Sequence, residues 1–521
     1  MTQPTPKYPI GVQSFEKIRT NDLLYVDKTK LVWKLVNEGE MYFLSRPRRF
    51  GKSLLLSTLE AYFKGKKDLF EGLAISGLEK DWVEYPVFHI DLNAKEYNTR
   101  ESLIEILTNT IRILGNEYGV SVDPKLSPEI QFGNLVMTVA QKTQRNVVIL
   151  VDEYDKPLLN TVDNDELYAE YQRILKSFYG VLKSKDKYIK FGMLTGVGRF
   201  GHVSIFSDLN NLRDISLTDT YNGICGITET ELDSYFDTSI SELAEVEGKT
   251  FEDTKDELKK MYDGYHFSGR SLAEGIYNPF SLLNCFASND FGKYWFETGT
   301  PTFLVKSIIK EGCDLSNLNF DVDEDTLMGI DRSFSSTETL LYQTGYLTIK
   351  DYDRHLKLYS IGLPNDEVKA GLLKLLFSAY GQENSTEFSI SKFLVDLRDC
   401  KVNRFIERLQ ALIARNPYEQ AADTEATYHN LLYLLFTLLG YFTDSENHMS
   451  HGRSDLVVKT RNHIYIFEFK LNESAEAAMR QINDRHYDSP YKADGRKIVK
   501  IGVNFSSEER NINEWAVEET D

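Results

Sequence analysis

Residues 45–55 read SRPRRFGKSLL, Ser45 through Leu55, and whether they form a phosphate-binding loop decides how the first part of the chain folds. That loop asks for Gly, four residues, then Gly, Lys and Ser or Thr. Arg46 stands where the first glycine belongs, while Gly51, Lys52 and Ser53 complete the pattern. The retained glycine matters most for backbone approach to phosphates. Lys52 can reach the terminal phosphates, Ser53 can ligand a magnesium ion, and Leu54 leads into a helix whose positive end favours an anion. These four residues form the cofactor-binding set of the loop. The competing account is a basic surface turn that happens to contain Gly-Lys-Ser.

The surroundings favour the loop. Upstream, Tyr25 to Glu40 carries apolar residues at Leu31, Val32, Leu35 and Val36, which predicts an amphipathic helix ending near Gly39, and MYFLS after it predicts a short strand. Downstream, LLLSTLEAYF has no breaker and a helical apolar pattern. Further buried strands are predicted at Val87 to Leu92, Val147 to Asp152 and Tyr188 to Gly196, separated by helix-length segments; strands alternating with helices imply a parallel sheet. The strand VVILVD ends in Asp152 and Glu153, where a P-loop protein keeps a magnesium-orienting carboxylate and a water-activating one. Thr195 ends the next strand and can meet the attacking water or the terminal phosphate. Arg199 and Arg213 are candidates for steadying phosphoryl charge, although a loop arginine is more often solvated or ion-paired.

At 521 residues, with 41% hydrophobic and 12% aromatic side chains, two or three packed domains are expected. The N-terminus lacks a signal peptide's basic start and apolar run, and the apolar run Leu431 to Phe442 is too short to span a bilayer; a cytoplasmic protein without membrane contact is expected. Cys225, Cys285, Cys313 and Cys400 are far apart, with no zinc or redox spacing. A net charge of -19 argues against tight, sequence-independent nucleic-acid binding. From residue 381 onward 17 basic face 23 acidic side chains, so any polyanion contact must be local.

A second constellation lies near the C-terminus. A helix is predicted over Thr427 to Phe442, then a hairpin of SDLVVK and IYIFEFK, then an alanine-rich helix from about Glu473 to Arg485. With Thr460 to His463 as the turn, Lys459 pairs with Ile464 and Asp455 falls opposite Glu468, their side-chain carbons about 4.5 to 5.5 Å apart. Lys470 shares that face. Two carboxylates facing each other ask for a cation, so Asp455 and Glu468 suit magnesium or manganese, with Lys470 beside the water. The plainer account is a hairpin edge with solvated charges. Glu425 and His429, four apart on one helix face, can add a ligand; Gln481 in the alanine-rich helix can face the site. His448 and His451 lack a further ligand with metal spacing and are read as loop.

These residues resemble a known family, bacterial proteins that join an AAA-ATPase-like domain to a C-terminal PD-(D/E)XK nuclease-superfamily domain. The likeness spans nearly the whole chain. It is carried by YVDKT, RPRRFGKSL, LVDEYDKP, TGVGRF with SIFSDLNNL, YDGYHF, YNPFSLLN, YWFETGTPTFL and LLYQTGYL, and at the end by GRSDLV and FEFK. The resemblance implies that the missing glycine is a family trait. It also implies that Lys52 and Ser53 meet phosphate and magnesium, that Asp152 and Glu153 are the Walker B pair, and that Thr195 is in the sensor position. Asp455, Glu468 and Lys470 take the nuclease signature, with Glu425 and Gln481 accessory. YDGYHF, YNPFSLLN and YWFETGTPTF are read as turns and packing.

The expected fold is therefore α/β: an AAA-like P-loop parallel-sheet domain over 1–227, a helical, winged-helix-like region over 228–350, a helical linker over 351–420 with a break at Gly381 to Ser389, and an α/β PD-(D/E)XK domain over 421–521. The expected function is ATP binding and hydrolysis, with Mg2+ or Mn2+, coupled to cleavage of nucleic acid, DNA before RNA; oligomerisation is left open. The runner-up is a nucleotide-switched interaction module whose nuclease-like domain binds nucleic acid or protein without cutting. A structural protein with a relic nucleotide fold is the third account.

Overall fold

The run Val147–Asp152 is buried at every position, as a strand covered on both faces must be, and it lies inside a five-stranded parallel sheet. In the computed structural model that sheet runs β2-β3-β4-β1-β5, with β1 Met41–Ser45, β2 Val87–Asp91, β3 Val147–Asp152, β4 Ile189–Gly196 and β5 Arg213–Asp214. The structure describes all residues except 1–5, 94–96, 163, 200–204, 207–208, 269–273, 297–303, 306–307, 309–314, 316, 329–335, 381–389, 415–423, 444–455 and 521; at 380, 424–429, 440–443 and 520 it describes the backbone alone. The chain forms two compact units, Met1–Phe303 with Asn319–Val368, and Leu304–Leu318 with Lys369–Asp521.

In the first unit the expected α/β alternation is present. The helices Arg100–Glu117, Pro128–Thr143 and Asp165–Tyr179 bury Leu107, Phe132, Val136 and Phe178 against Phe88, Ile149 and Val151 of the sheet. Burial of such side chains contributes roughly 1.5 to 3 kcal/mol each. After the sheet come a short antiparallel pair, β6 Ile227–Thr228 and β7 Ile276–Tyr277, and helices Glu229–Tyr235, Asp237–Glu247, Phe251–Tyr262 and Pro279–Ser288, with their own core of Leu232, Phe236, Ile240, Leu258 and Phe286. The first of these helices starts in a capping box, Thr228 with Glu231, which satisfies two backbone donors the helix cannot reach itself.

One expectation needs correction. Residues just past 350 are read from sequence as helical, yet β8 Phe320–Asp323, β9 Thr348–Asp353 and β10 Leu358–Gly362 form an antiparallel sheet in the order β8-β10-β9. The physical signal is period two: Tyr359 and Ile361 are buried while the alternating Leu358 and Ser360 are only partly so, and charged residues on the outward half of β9 hide the alternation.

The second unit contains helices Ile390–Arg398, Val402–Ala414 and Thr424–Thr443 and a four-stranded sheet in the order β11-β12-β13-β14. Its strands are β11 Leu456–Lys459, β12 His463–Leu471, β13 Lys497–Ser506 and β14 Asn511–Thr520. β13 runs parallel to β12, and the other pairings are antiparallel. Phe405, Phe436, Phe467 and Phe469 pack ring against tilted ring between helices and sheet. The last two strands are not among the elements the sequence reading predicts. The expected break at 381–389 lies outside the described residues.

Candidate functional site

Two groups of residues carry the candidate chemistry, one in each unit. In the first, β1 is held between β4 and β5 with Leu44 beside Thr195 and Ser45 beside Gly196. The chain then turns through Arg46–Phe50 and reaches Gly51, whose φ of 97° is left-handed backbone that suits glycine. The helix Lys52–Phe63 begins at the next residue, so Lys52, Ser53 and Leu54 occupy its first turn. Lys52 is buried, and its Nζ donates to the carbonyls of Arg46 at 2.9 Å and Pro47 at 3.1 Å. Burial pulls its pKa down, opposed by Asp152, Glu153 and Asp155. The loop's first two carbonyls thus hold the ammonium in reserve. Ser53 and Leu54 are half-buried.

Asp152 closes β3 and is buried; Thr195 Oγ1 donates to its Oδ1 at 2.7 Å, and the Glu153 backbone N–H does so at 3.1 Å. Glu153 follows with φ 53°, a conformation that costs a non-glycine residue of order 1 kcal/mol or more and turns the chain sharply. The sequence-predicted residues of this region are therefore brought together at the strand ends. Arg199 and Arg213 are not gathered beside them as a pair. Arg199 is ion-paired to Asp214 at 2.8 Å, and Arg213, exposed on β5, lies beside Tyr42.

Three residues here escape sequence reasoning. Arg46 is only 1% exposed; it donates to the carbonyls of Ser45 and Ser216 at 2.8 Å and Tyr221 at 3.1 Å, and its guanidinium lies 4.1 Å from the Phe267 ring centre. It is an internal strut tying the loop to distant segments. Phe50 packs edge-on against Tyr265 and Phe267, so YDGYHF grips the loop. Asp155 is buried, accepts from the Val197 and Gly198 N–H groups at 3.0 and 2.9 Å, and is pushed by burial up to about 6. It fixes the turn after β4. The third acidic residue of DEYD is the only sequence hint of that.

Beside Gly51 and Leu54 opens a cleft of about 640 Å³, open solvent included, walled by apolar side chains such as Val26, Phe50, Ile227 and Leu283. Its charged wall residue, Lys28, is ion-paired with Glu231. Tyr25 and Thr58 supply hydroxyls.

In the second unit the hairpin register runs from Lys459 opposite Ile464 to Leu456 opposite Phe467, which is the pairing the turn length predicts. Asp455, His448 and His451 lie outside the described residues. So do the side chains of Glu425 and His429, whose backbone belongs to the helix Thr424–Thr443. Glu468 is 1% exposed. Gln481 Nε2 donates to its Oε1, Gln481 Oε1 accepts from Lys470 Nζ at 2.6 Å, and Lys470 lies 3.6 Å from Glu468. Glu468, Lys470 and Gln481 are thus brought into one network. Tyr487, unmarked by the sequence, places its hydroxyl 3.2 Å from Gln481 Nε2.

The helix Ala475–Asp484 comes close because of Gly502, beside Glu468 in the register; a Cβ there would lie 2.5 Å from the Ala475 carbonyl and 2.9 Å from the Met479 nitrogen. Chemically, a buried carboxylate with a neighbouring ammonium supplies the hard oxygen that magnesium or manganese prefers. Among the described residues no group of three or more His, Cys, Asp and Glu is assembled for a metal, so Glu468 is the part of the donor set the structure describes. No described helix is long and apolar enough to cross a membrane.

Residues 9–206 match the family described as predicted AAA-ATPase, and residues 423–515 match the PD-(D/E)XK nuclease superfamily. The chain is 36% identical over 525 residues to the "Uncharacterized protein in vnfD 5'region" of Azotobacter chroococcum mcd 1, an alignment covering 98% of this chain and 99% of that one. Among solved structures it is similar to the Aeropyrum pernix ORC2 protein in its ADPNP–ADP complexes, with 11% identity, TM-score 0.29, and 66% of this chain and 91% of that chain covered. For CDC6P from Pyrobaculum aerophilum the values are 11%, 0.21, 73% and 96%. Likenesses of that size carry no argument about this chain.

Proposed function

The chain belongs to a family whose members join a predicted AAA-ATPase-like domain to a PD-(D/E)XK nuclease-superfamily domain, and from that premise we propose that it binds and hydrolyses ATP and cleaves nucleic-acid phosphodiesters. The observation that carries the first half is Lys52, an ammonium held by its own loop's carbonyls at the start of a helix. On this reading Lys52 exchanges those carbonyls for the terminal phosphates, and the free N–H groups of the first helical turn receive the others. Glu153 takes the proton of the attacking water, and Thr195 keeps Asp152 in place. Magnesium, when bound by Ser53 and Asp152, supplies charge neutralisation of the phosphates. The apolar cleft beside Leu54 suits a flat base, which favours a nucleoside triphosphate over a simple polyphosphate.

For the second half, the network of Glu468, Gln481 and Lys470 supports a phosphodiesterase site. Glu468, with Asp455 and Glu425, would hold a divalent metal ion, which supplies Lewis acidity and an activated water. Lys470 orients that water and steadies the developing negative charge, and Gln481 holds both side chains in register. DNA is the favoured substrate, and nucleotide state at the loop would control access to the cutting site. Residues 1–227, 228–350, 351–420 and 421–521 are the segments we assign to the four functional parts, and a cytoplasmic location fits both activities.

The test is incubation of the purified chain with linear and circular DNA and with RNA, with and without ATP and manganese. Metal-dependent cleavage that disappears in Glu468→Ala and ATP turnover that disappears in Lys52→Ala are expected. Cleavage unchanged in Glu468→Ala would sink the nuclease assignment.

A further inference from the structure

A second cavity lies at the ends of β4, β1 and β5, with about 470 Å³ of space, open solvent included. None of Gly51, Lys52, Ser53, Asp152 or Thr195 lines it. Its polar lining includes Arg46, Arg199, Ser216, Tyr342, Gln343 and Thr348, and no acidic side chain is among its described lining residues. Both charged liners are guanidinium groups. Arg199 shares its charge with Asp214, 2.8 Å away. Among the described residues, Arg46, 1% exposed, meets neutral carbonyls and a ring face, and its buried Nε has no acceptor.

The electrostatics of this arrangement are unbalanced. Among the described residues, two guanidinium groups face one carboxylate in surroundings of low dielectric, where repulsion between like charges is stronger than in water. Burial and the neighbouring Arg199 both act to pull Arg46 down, to about 10. A buried donor without an acceptor costs about 1 to 3 kcal/mol, and guanidinium groups pair best with planar or tetrahedral oxyanions. Gln343, whose Oε1 accepts from the Arg199 N–H at 3.4 Å, is on the cavity wall next to them.

We propose that this cavity is a binding site for a small oxyanion of the phosphate class, received by the Arg199 guanidinium beside the buried charge of Arg46; Ser45, Arg46 and Pro47 of the loop line it, but Gly51, Lys52 and Ser53 do not. The assignment goes beyond ATP binding at Lys52 and does not require it. Calorimetric titration of the full chain with orthophosphate at constant ionic strength tests it, using wild type and the Lys52→Ala, Arg199→Gln and Gln343→Glu variants, with the melting temperature of each as a folding control.

Lys52→Ala is expected to keep an orthophosphate site of wild-type affinity, even though any orthophosphate binding at the loop itself is lost with the Lys52 ammonium. Arg199→Gln should weaken binding about tenfold or more, the equivalent of about 1.4 kcal/mol, and Gln343→Glu should do the same by placing a carboxylate in the cavity. The second variant keeps the Arg199–Asp214 pair, so it answers the question if Arg199→Gln melts early. Orthophosphate binding that vanishes in Lys52→Ala would assign the anion to the loop and overturn the proposal. Wild-type affinity in both cavity variants, or no binding by wild type at millimolar orthophosphate, overturns it equally. A chain that binds orthophosphate but not ATP would refute the proposed function and leave this site standing.

Discussion

The two candidate sites are built in opposite ways. The phosphate-loop site draws on Gly51 to Leu54, Asp152 to Asp155 and Thr195, from the ends of three different strands. The hairpin site uses Glu468, Lys470, Gln481 and Tyr487, all within about one strand and one helix of each other. A site spread over strand ends is held by the sheet, so its accuracy depends on segments that never touch substrate, such as Arg46 and Asp155. A site folded from neighbouring segments depends on one close approach, here the helix over Gly502.

The largest expected effects separate the two sites outright. Lys52→Ala should lower ATP affinity and turnover by about a hundredfold or more while leaving metal-dependent cleavage in the absence of ATP unchanged; Glu468→Ala should do the reverse. Nucleotide binding by fluorescence and a gel cleavage assay on both variants check this. If each variant abolished both activities, the two sites would have to be one functional unit.

Next comes a stability effect in the first unit. Glu367 is buried, accepts from Ser281 Oγ at 3.0 Å and the Trp295 N–H at 2.9 Å, and is pushed by burial from 4.5 up to about 7. Between those values the folded chain keeps a proton that the unfolded chain releases, so stability falls as pH rises from about 4.5 to about 7 and then levels. The size is about 3 kcal/mol. Asp155 and Asp263, both raised by burial from 3.8 to about 6, act in the same direction at lower pH. Denaturant melts across that range should show the slope, and Glu367→Gln should flatten its upper part. An equally steep profile in that variant would remove Glu367 as the cause.

Gln481→Ala acts on the hairpin site alone. It removes the group that bridges Glu468 and Lys470, and should cost about 10 to 100-fold in metal affinity or cleavage, the usual size for an outer-shell partner, with ATP turnover unaffected. Tyr487→Phe should cost least, several-fold at most, since it deletes a single hydroxyl near Gln481. Measuring both variants by manganese titration and cleavage rate gives the order; a larger loss in Tyr487→Phe would place the hydroxyl closer to the chemistry than Gln481.

Much of this was legible in the sequence because its signals are local. Gly51-Lys52-Ser53, the apolar run ending at Asp152, and the turn that sets Lys459 opposite Ile464 each lie within a dozen residues. β9 and β10 were hidden because exposed charged residues mask a period of two. Tyr265 and Phe267, readable only as packing, press on Phe50 from more than two hundred residues away. Tyr487 carried no mark because nothing in its own stretch shows that the chain turns back toward Gln481.

The α/β order of the first unit, the loop at its first crossover and the register of the hairpin all follow from periodicity and turn length, which act through neighbouring residues. The fates of Arg46, Asp155 and Glu367 depend instead on contacts made across the fold. At Arg46 the apparent defect in the loop became an interior strut, held by Ser216, Tyr221 and Phe267. The physical reason is that the free energy of a charged group depends on what surrounds it in space. Those surroundings come from segments that the chain itself keeps far apart.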